Sequence, residues 1–200
     1  TTKLPWGELG IDVVVESTGL FTAYDKASFH LTQGAKKVVI SAPAKEGDDA
    51  GVKGETILLG VNEDKFGTCD ITSNASCTTN CIAPVAAIMH SKLGVKKAML
   101  TTVHGYTDDQ NLQDNSHKDM RRARAAAQNI IPTSTGAASS ATEAIPELKG
   151  LFDGLALRAP VITGSISDFT FVTSRSTSVN EVNQIFVDAS SHPLYKGILA

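Results

Sequence analysis

Apolar residues in the first third of the chain come in short unbroken runs rather than in alternation. Ile11 to Val15 lies between Gly10 and Ser17-Thr18-Gly19, and Lys37 to Ile40 repeats the signal before Ser41-Ala42-Pro43. Runs of this kind are expected of parallel strands buried on both faces. The stretch from Tyr24 to Gln33 between them has helical character and stops at Gly34. Strand, helix, strand, with small polar residues after each strand, is the layout of a doubly wound sheet whose ligands bind at the carboxyl ends of the strands. Ile57-Leu58-Leu59 and Cys69 to Thr72 supply two further strands, and Ala44 to Gly54, rich in glycine and charge, reads as a solvated connector.

The pattern changes at Cys77. Ile82, Val85, Ala86, Met89 and Leu93 recur at helical spacing, although Pro84 inside that helix removes a hydrogen bond and is expected to kink it. Strands follow at Lys97 to Val103, Gly154 to Val161 and Ser165 to Ser174. An Ala-rich, Arg-rich helix is expected over Met120 to Gln128, and a last helix over Val179 to Ala189, opened by a capping box in Ser178 and Glu181. Longer strands with mixed side chains suggest a large mixed or antiparallel sheet with one covered face. The reading is an α/β segment followed by an α+β domain that begins near Cys77.

Composition narrows the function classes. The 200 residues are 42% hydrophobic and 20% charged, enough for a sizeable core. With 18 basic against 21 acidic residues the net charge is −3, which argues against a nucleic-acid or membrane-surface specialist. No apolar run approaches the length of a membrane span. Three cysteines, Cys69, Cys77 and Cys81, suit a reducing compartment better than a disulfide framework.

Chemistry concentrates in Ser73-Asn74-Ala75-Ser76-Cys77-Thr78-Thr79-Asn80, where small polar residues surround a thiol at the start of a helix. Free backbone N–H groups and the positive end of the helix macrodipole favour a thiolate there. Cys81, one turn further in, is expected to be the slower thiol. His104, near the end of a strand in Thr101-Thr102-Val103-His104-Gly105-Tyr106-Thr107, is the candidate acid/base partner. His30, His90, His117 and His192 are taken as structural. The i, i+4 pair Cys77 and Cys81 invites a metal, yet zinc wants four ligands and no second pair follows, so none is expected. Thr107, Asp109, Arg122, Thr133-Ser134-Thr135-Gly136 and Arg158 are hydroxyl, glycine and guanidinium groups suited to a phosphorylated ligand. Arg121, Arg122 and Arg124 could equally form the solvated face of a helix.

Four segments, SNASCTTN from Ser73, TTVHGYT around His104, HKDMRRARAAA from His117 and NIIPTSTGAA from Asn129, resemble the phosphorylating glyceraldehyde-3-phosphate dehydrogenases. The resemblance runs from Leu4 to about Leu199. It implies a Cys77 thioester mechanism, with His104 assisting ionisation and proton movement, hydride passing to NAD or NADP, and inorganic phosphate releasing 1,3-bisphosphoglycerate. It implies that Thr107 and Arg158, with Asp109 and Arg122 nearby, hold the substrate phosphate. Ser76, Thr78, Thr135 and Gly136 would hold the attacking phosphate. Ser17, Thr18, Gly19, Phe21 and Ser41 match positions lining the dinucleotide. Residues 1–76 would then be the C-terminal part of a Rossmann-type domain and 77–200 an incomplete catalytic domain, in a cytoplasmic homotetramer, with organellar targeting left open.

No GxGxxG occurs, and the family carries that motif ahead of the stretch seen here, so the chain reads as an internal piece of a longer enzyme, inactive alone. Asp108, Ser139-Ser140 and Val161-Ile162-Thr163-Gly164 depart from common family residues without removing a catalytic group. Asn115-Ser116 stands where NAD-specific members usually carry Leu-Pro, and NADP-accepting ones a small residue followed by Ser. Alternatives are erythrose-4-phosphate dehydrogenase, which typically lacks the YT and TSTG segments present here, a Cys/His hydrolase or amidotransferase without nicotinamide, and a non-catalytic RNA-binding module opposed by the acidic balance.

Overall fold

The computed structural model describes residues 3–45 and 51–200; part of the expected connector, 46–50, lies outside the described residues. In chain order come β1 (Val13–Glu16), α1 (Tyr24–Thr32), β2 (Lys37–Ile40), β3 (Glu55–Thr56) and β4 (Ile71–Ser73). Next are α2 (Cys77–Leu93), β5 (Val95–Gly105), β6 (Ile131–Ser134) and α3 (Ala137–Ala144). The order closes with β7 (Phe152–Ala159), β8 (Ser165–Thr173) and α4 (Val179–Ser190). One sheet, ordered β1-β2-β4-β3, is parallel throughout, and α1 crosses over between its first two strands. The second, ordered β6-β7-β5-β8, is mixed: β7 runs parallel to β5, whereas β8 and β6 are antiparallel to their neighbours. This is the α/β class followed by a mixed sheet that the apolar pattern predicts.

Ala27 of α1 packs on Val38, Ile40 and Ile71 to form the smaller core. Of the run Ile11 to Val15 the strand takes Val13 onward, and among the described residues β1 stands at the end of the sheet order, with Val13 and Val15 52% and 64% exposed. The expected strand at Ile57-Leu58-Leu59 is displaced. Asn62 takes the Leu58 N–H on Oδ1 at 2.8 Å and donates through Nδ2 to the Thr56 carbonyl at 2.9 Å, so a side chain replaces the ladder and turns the chain out of the sheet.

The larger core lies between α2, α3 and one face of the mixed sheet, around Ile82, Ala86, Met89, Leu100, Leu148 and Phe152. Phe169 of β8 stacks between Phe152 and Phe171, with centroids 6.3 and 5.3 Å apart. Helix α2 is capped at its start by Ser76, whose Oγ accepts the Thr79 N–H, and runs unbroken through Pro84 to Gly94. Packing of Ile82, Ala83 and Ala86 on both sides of the proline outweighs its missing donor. Only half of the capping box forms at α4: Ser178 accepts the Glu181 N–H, but the Glu181 carboxylate pairs with Arg175 and Thr177 instead of reaching back.

The expected helix at Met120 to Gln128 is the clearest error of local reasoning. The segment forms two 3-10 turns, Met120–Ala123 and Ala126–Gln128. Asp119 takes the Arg121 N–H, Asp114 takes the Ala125 N–H at 2.8 Å and pairs with Arg124, and Arg122 is drawn toward Asp109 and Thr133. Polar contacts from outside the segment outweigh alanine's helix propensity.

The turn Trp6–Gly10 docks on the end of α1, where Gly7 N donates to the Gln33 carbonyl at 3.0 Å. Gly34 there has φ +103°, and a Cβ on it would stand 2.5 Å from the Gly7 Cα. Left-handed strain and a backbone clash act together, so Gly34→Ala should lower unfolding free energy by about 2–4 kcal/mol, measured by chemical denaturation of the full-length protein. A loss under about 0.5 kcal/mol would show that this docking is loose.

Candidate active site

Two helix N-termini and the end of one strand meet at a cavity of about 300 Å³. Ser76, Cys77 and Thr78 bring the start of α2, Thr135, Gly136 and Ala137 bring the start of α3, and Thr102 and His104 project from β5. Ala156 and Arg158 of β7, Ser134 of β6, Arg122, Thr107 and Pro43 complete the wall. Each helix start leaves backbone N–H groups without intrahelical acceptors and carries the positive end of a dipole. The convergence is therefore suited to an anion before any charged side chain is counted.

Ala75, immediately before the cap, adopts φ +52° although it is not glycine, and it is buried. The sharp turn lets β4 end and α2 begin within three residues, and Cys77 stands exposed on the first turn. Its Sγ lies 3.6 Å from His104 Nε2. The other imidazole nitrogen, Nδ1, is 2.7 Å from the Gly105 carbonyl and 3.0 Å from Arg158 Nη1. Nδ1 donates to the first or accepts from the second, and with a thiolate at Cys77 the Nε2 proton faces sulfur. Thiol and imidazole are thus placed to act as nucleophile and acid/base.

The cations divide into one that is held and one that is available. Arg122 donates to Asp109 Oδ2 at 2.7 Å through Nη1 and to Thr133 Oγ1 at 2.8 and 2.6 Å through Nε and Nη2. Burial alone would raise the Asp109 carboxyl, but the Thr107 hydroxyl and the charges of Arg122 and Arg158 outweigh it and hold it below the ordinary carboxylate value. Arg158 touches only His104 Nδ1 and the Gly105 carbonyl, and its buried Nε has no partner among the described residues. Burial pushes its guanidinium down, Asp109 opposes that shift, Arg122 adds to it and Cys77 opposes it. A partly buried guanidinium with no carboxylate in ion-pair contact among the described residues is a strong donor site for an anionic group.

The cavity brings together Cys77, His104, Ser76, Thr78, Thr107, Arg122, Thr135, Gly136 and Arg158 from the sequence reading, with Asp109 just behind Arg122. The hydroxyls of Ser76 and Thr135 are already engaged as acceptors for the Thr79 and Ala137 N–H groups. Sequence reasoning missed Pro43 and Thr102. Thr102 was findable, since it stands two residues before His104 and shares its face of the strand; its buried Oγ1 has no partner among the described residues. Cys81 is exposed like Cys77, so burial does not separate the two thiols. A larger cavity of about 420 Å³, at the opposite end of β5 beside Lys97, Gly150 and Asp153, holds neither a thiol nor an imidazole.

The candidate cofactor residues lie at the carboxyl edge of the parallel sheet. Ser41 Oγ donates to Ser17 Oγ at 3.0 Å, linking the loops that follow β1 and β2, while Thr18 and Gly19 are exposed. Phe21 turns inward, stacked on Phe29 and edge-on to His30. Among the described residues no group of three or more His, Cys, Asp or Glu side chains is placed to hold a metal ion.

Residues 76–200 match the family model described as the glyceraldehyde 3-phosphate dehydrogenase C-terminal domain. Over 197 residues, 98% of this chain, it is 57% identical to the glyceraldehyde-3-phosphate dehydrogenase of Mycobacterium leprae and 56% identical to that of Mycolicibacterium smegmatis. It is 53% identical over 199 residues to glyceraldehyde-3-phosphate dehydrogenase 1 of Streptomyces arenae. The chain spans 56% of the length of the first two relatives and 58% of the third.

Exposure is shared, so the imidazole and the helix start are what separate the thiols. His104→Asn should slow iodoacetamide alkylation of Cys77 at neutral pH by roughly tenfold or more and leave Cys81 unchanged, read by mass mapping. Equal rates at Cys77 in both proteins would remove His104 as its partner. A second expectation concerns Asp109. Its folded value lies below the ordinary 3.8, so its contribution to stability is complete above that and is lost as pH falls through the folded value. The stability difference between wild type and Asp109→Asn should be constant above about pH 5 and close at lower pH. A difference independent of pH would contradict the pairing.

Proposed function

This chain belongs to the glyceraldehyde-3-phosphate dehydrogenase family, and we propose that it supplies the nucleophile, acid/base and phosphate-binding side chains of a phosphorylating, NAD-dependent aldehyde dehydrogenase. The substrates are glyceraldehyde 3-phosphate and inorganic phosphate. The observation that carries this reading is the 3.6 Å contact of Cys77 Sγ with His104 Nε2 inside a cavity that also holds the unpaired Arg158. A hydrolase or amidotransferase dyad has no need of a second anion-binding guanidinium.

The steps follow from where the groups stand. Cys77 sulfur forms a bond to the aldehyde carbon, and the oxyanion that develops, stabilised by the Nε2–H of the His104 imidazolium, takes that proton to become the hemithioacetal hydroxyl. A bound dinucleotide supplies the two-electron acceptor for the hydride that leaves this carbon. His104 takes the hydroxyl proton as the hemithioacetal becomes a thioester. A phosphate oxygen then attacks the acyl carbon, the C–S bond breaks, and the thiolate returns beside the imidazolium. Thr107 and Arg158 hold the substrate phosphate, with Asp109 and Arg122 bracing them. Ser76, Thr78, Thr135 and Gly136 receive the attacking phosphate at the two helix starts.

The residues available to a dinucleotide are Ser17, Thr18, Gly19 and Ser41, whose exposed polar groups at parallel strand ends fit it; Phe21 supports that loop from inside. Ser116 is exposed and donates its N–H to Asn115 Oδ1 at 2.7 Å, the contact of an ordinary turn. We divide the chain at Ser76/Cys77, into the end of a dinucleotide-binding domain, 1–76, and a catalytic domain, 77–200. The uncovered sheet face with Met99, Leu155, Ile166 and Val172 exposed suits the subunit contacts of a homotetramer. A cytoplasmic location agrees with this activity, and among the described residues no helix is long and apolar enough to cross a membrane.

Arg158→Lys keeps the charge but loses the planar fork. In the full-length protein kcat/KM for glyceraldehyde 3-phosphate should fall by roughly one to two decades, while activity with unphosphorylated glyceraldehyde changes less. Equal losses with both substrates would make Arg158 structural. Absence of nicotinamide reduction by the wild type would refute the whole reading.

A further inference from the structure

One buried ionisable cluster takes no part in the steps above. At the end of β1, Glu16 is 3% exposed, and α1 presents His30, 5% exposed, against it. His30 Nε2 lies 2.8 Å from Glu16 Oε2, and Trp6 Nε1 lies 3.1 Å from His30 Nδ1. The other carboxylate oxygen, Oε1, accepts the Thr18 N–H at 2.7 Å and the Thr18 hydroxyl as well. Thr18 Oγ1 in turn accepts the Leu20 N–H at 3.1 Å. Trp6, Phe21 and Phe29 enclose the imidazole, with centroids 5.5 to 6.3 Å away.

Proton bookkeeping gives this cluster a direction. An indole N–H only donates, so His30 Nδ1 accepts, and the ring proton sits on Nε2 and points at the carboxylate. An ionised carboxylate only accepts, so both arms end on Glu16: Trp6 to His30 to Glu16 on one side, Leu20 to Thr18 to Glu16 on the other. The buried arm is packed and the other is the exposed loop 17–20. Glu16 also gives its backbone carbonyl to Ser41 N at 3.0 Å, so one residue anchors both strand-end loops.

We propose that Trp6, His30 and Glu16 are positioning residues that set the Ser17–Leu20 loop in the conformation that receives the dinucleotide. The proposal rests on the dehydrogenase reading for its ligand, but the relay itself is a property of the ligand-free fold. Replacing Glu16 by Gln turns an acceptor into a group with one acceptor and one donor end. Whichever way the amide is turned, its N–H groups meet a donor, either Thr18 N or His30 Nε2. Moving the His30 proton to Nδ1 relieves the second conflict only by setting it against the Trp6 N–H. Trp6→Phe deletes that opposing donor, so it should partly rescue Glu16→Gln. No simple loss of packing has that consequence.

The test uses full-length wild type, Glu16→Gln, Trp6→Phe and the double variant. Glu16→Gln should raise the KM for NAD roughly tenfold, about one hydrogen bond to a charged group, with kcat at saturating NAD within about twofold. It should also speed amide exchange at Thr18 and Leu20 in the ligand-free protein, and the double variant should recover a large part of both effects. A fall in kcat with KM for NAD unmoved, or a double variant as impaired as the sum of the singles, would overturn the proposal. A wild type that binds no dinucleotide would refute the functional reading instead, and the exchange rates would still decide whether the relay holds the loop. Should Glu16→Gln fail to fold, the ring ¹⁵N shifts of wild-type His30 decide: a bare Nδ1 with protonated Nε2 is expected, and the opposite tautomer or an imidazolium would overturn the relay.

Discussion

The register of β5 against β7 governs the cavity that holds Cys77 and His104. Parallel pairing sets His104 beside Arg158 and Thr102 beside Ala156 on the face covered by α2 and α3. Side chains alternate across a strand, so a slip of one residue would send His104 to the uncovered face and leave Cys77 without an imidazole. What prevents the slip is burial: Leu100 and Thr102 are nearly inaccessible on the inner side, while Met99 is exposed on the outer. The same hydrophobic contrast that holds the sheet in register thus aligns the imidazole with the thiol.

Around that alignment the site concentrates positive potential without pairing all of it. Arg122 is fastened to Asp109 and Thr133 and acts as a brace. Arg158 stays partly buried with a free Nε and leans on His104, an arrangement that is costly until an anion arrives. Two helix starts face the same space, and Ala75 holds a left-handed conformation to bring one of them there. Strain and unsatisfied donors gather where chemistry is expected, as they do when a fold is preorganised for a transition state.

The two sheets are connected by more than the peptide that joins β4 to α2. Thr56 on β3 donates to Glu143 on α3 at 2.6 Å, so the helix that begins with Gly136 is tied to the parallel sheet. Glu16 performs a comparable task at the other end of that sheet by joining the loops after β1 and β2. The loops expected to meet a dinucleotide and the helix expected to meet phosphate are therefore set by short polar links to packed elements, rather than by their own rigidity.

Much of this was legible along the chain. The apolar runs before Ser17 and Ser41 announced parallel strands, helical spacing after Cys77 announced α2, and a thiol among small polar residues marked its first turn. Those signals are local, because backbone periodicity and helix-end chemistry depend on neighbours a few residues away. The errors came where distant partners decide: Asp114, Asp109 and Thr133 unwound the Ala-rich segment, and Asn62 turned Leu58 out of the sheet. Sequence alone also could not say that Arg158 rather than Arg122 is the unpaired cation, or that His30 is committed to Glu16 through one tautomer. Both depend on which donors meet which acceptors across strands and helices far apart in sequence, and only the folded chain makes those meetings.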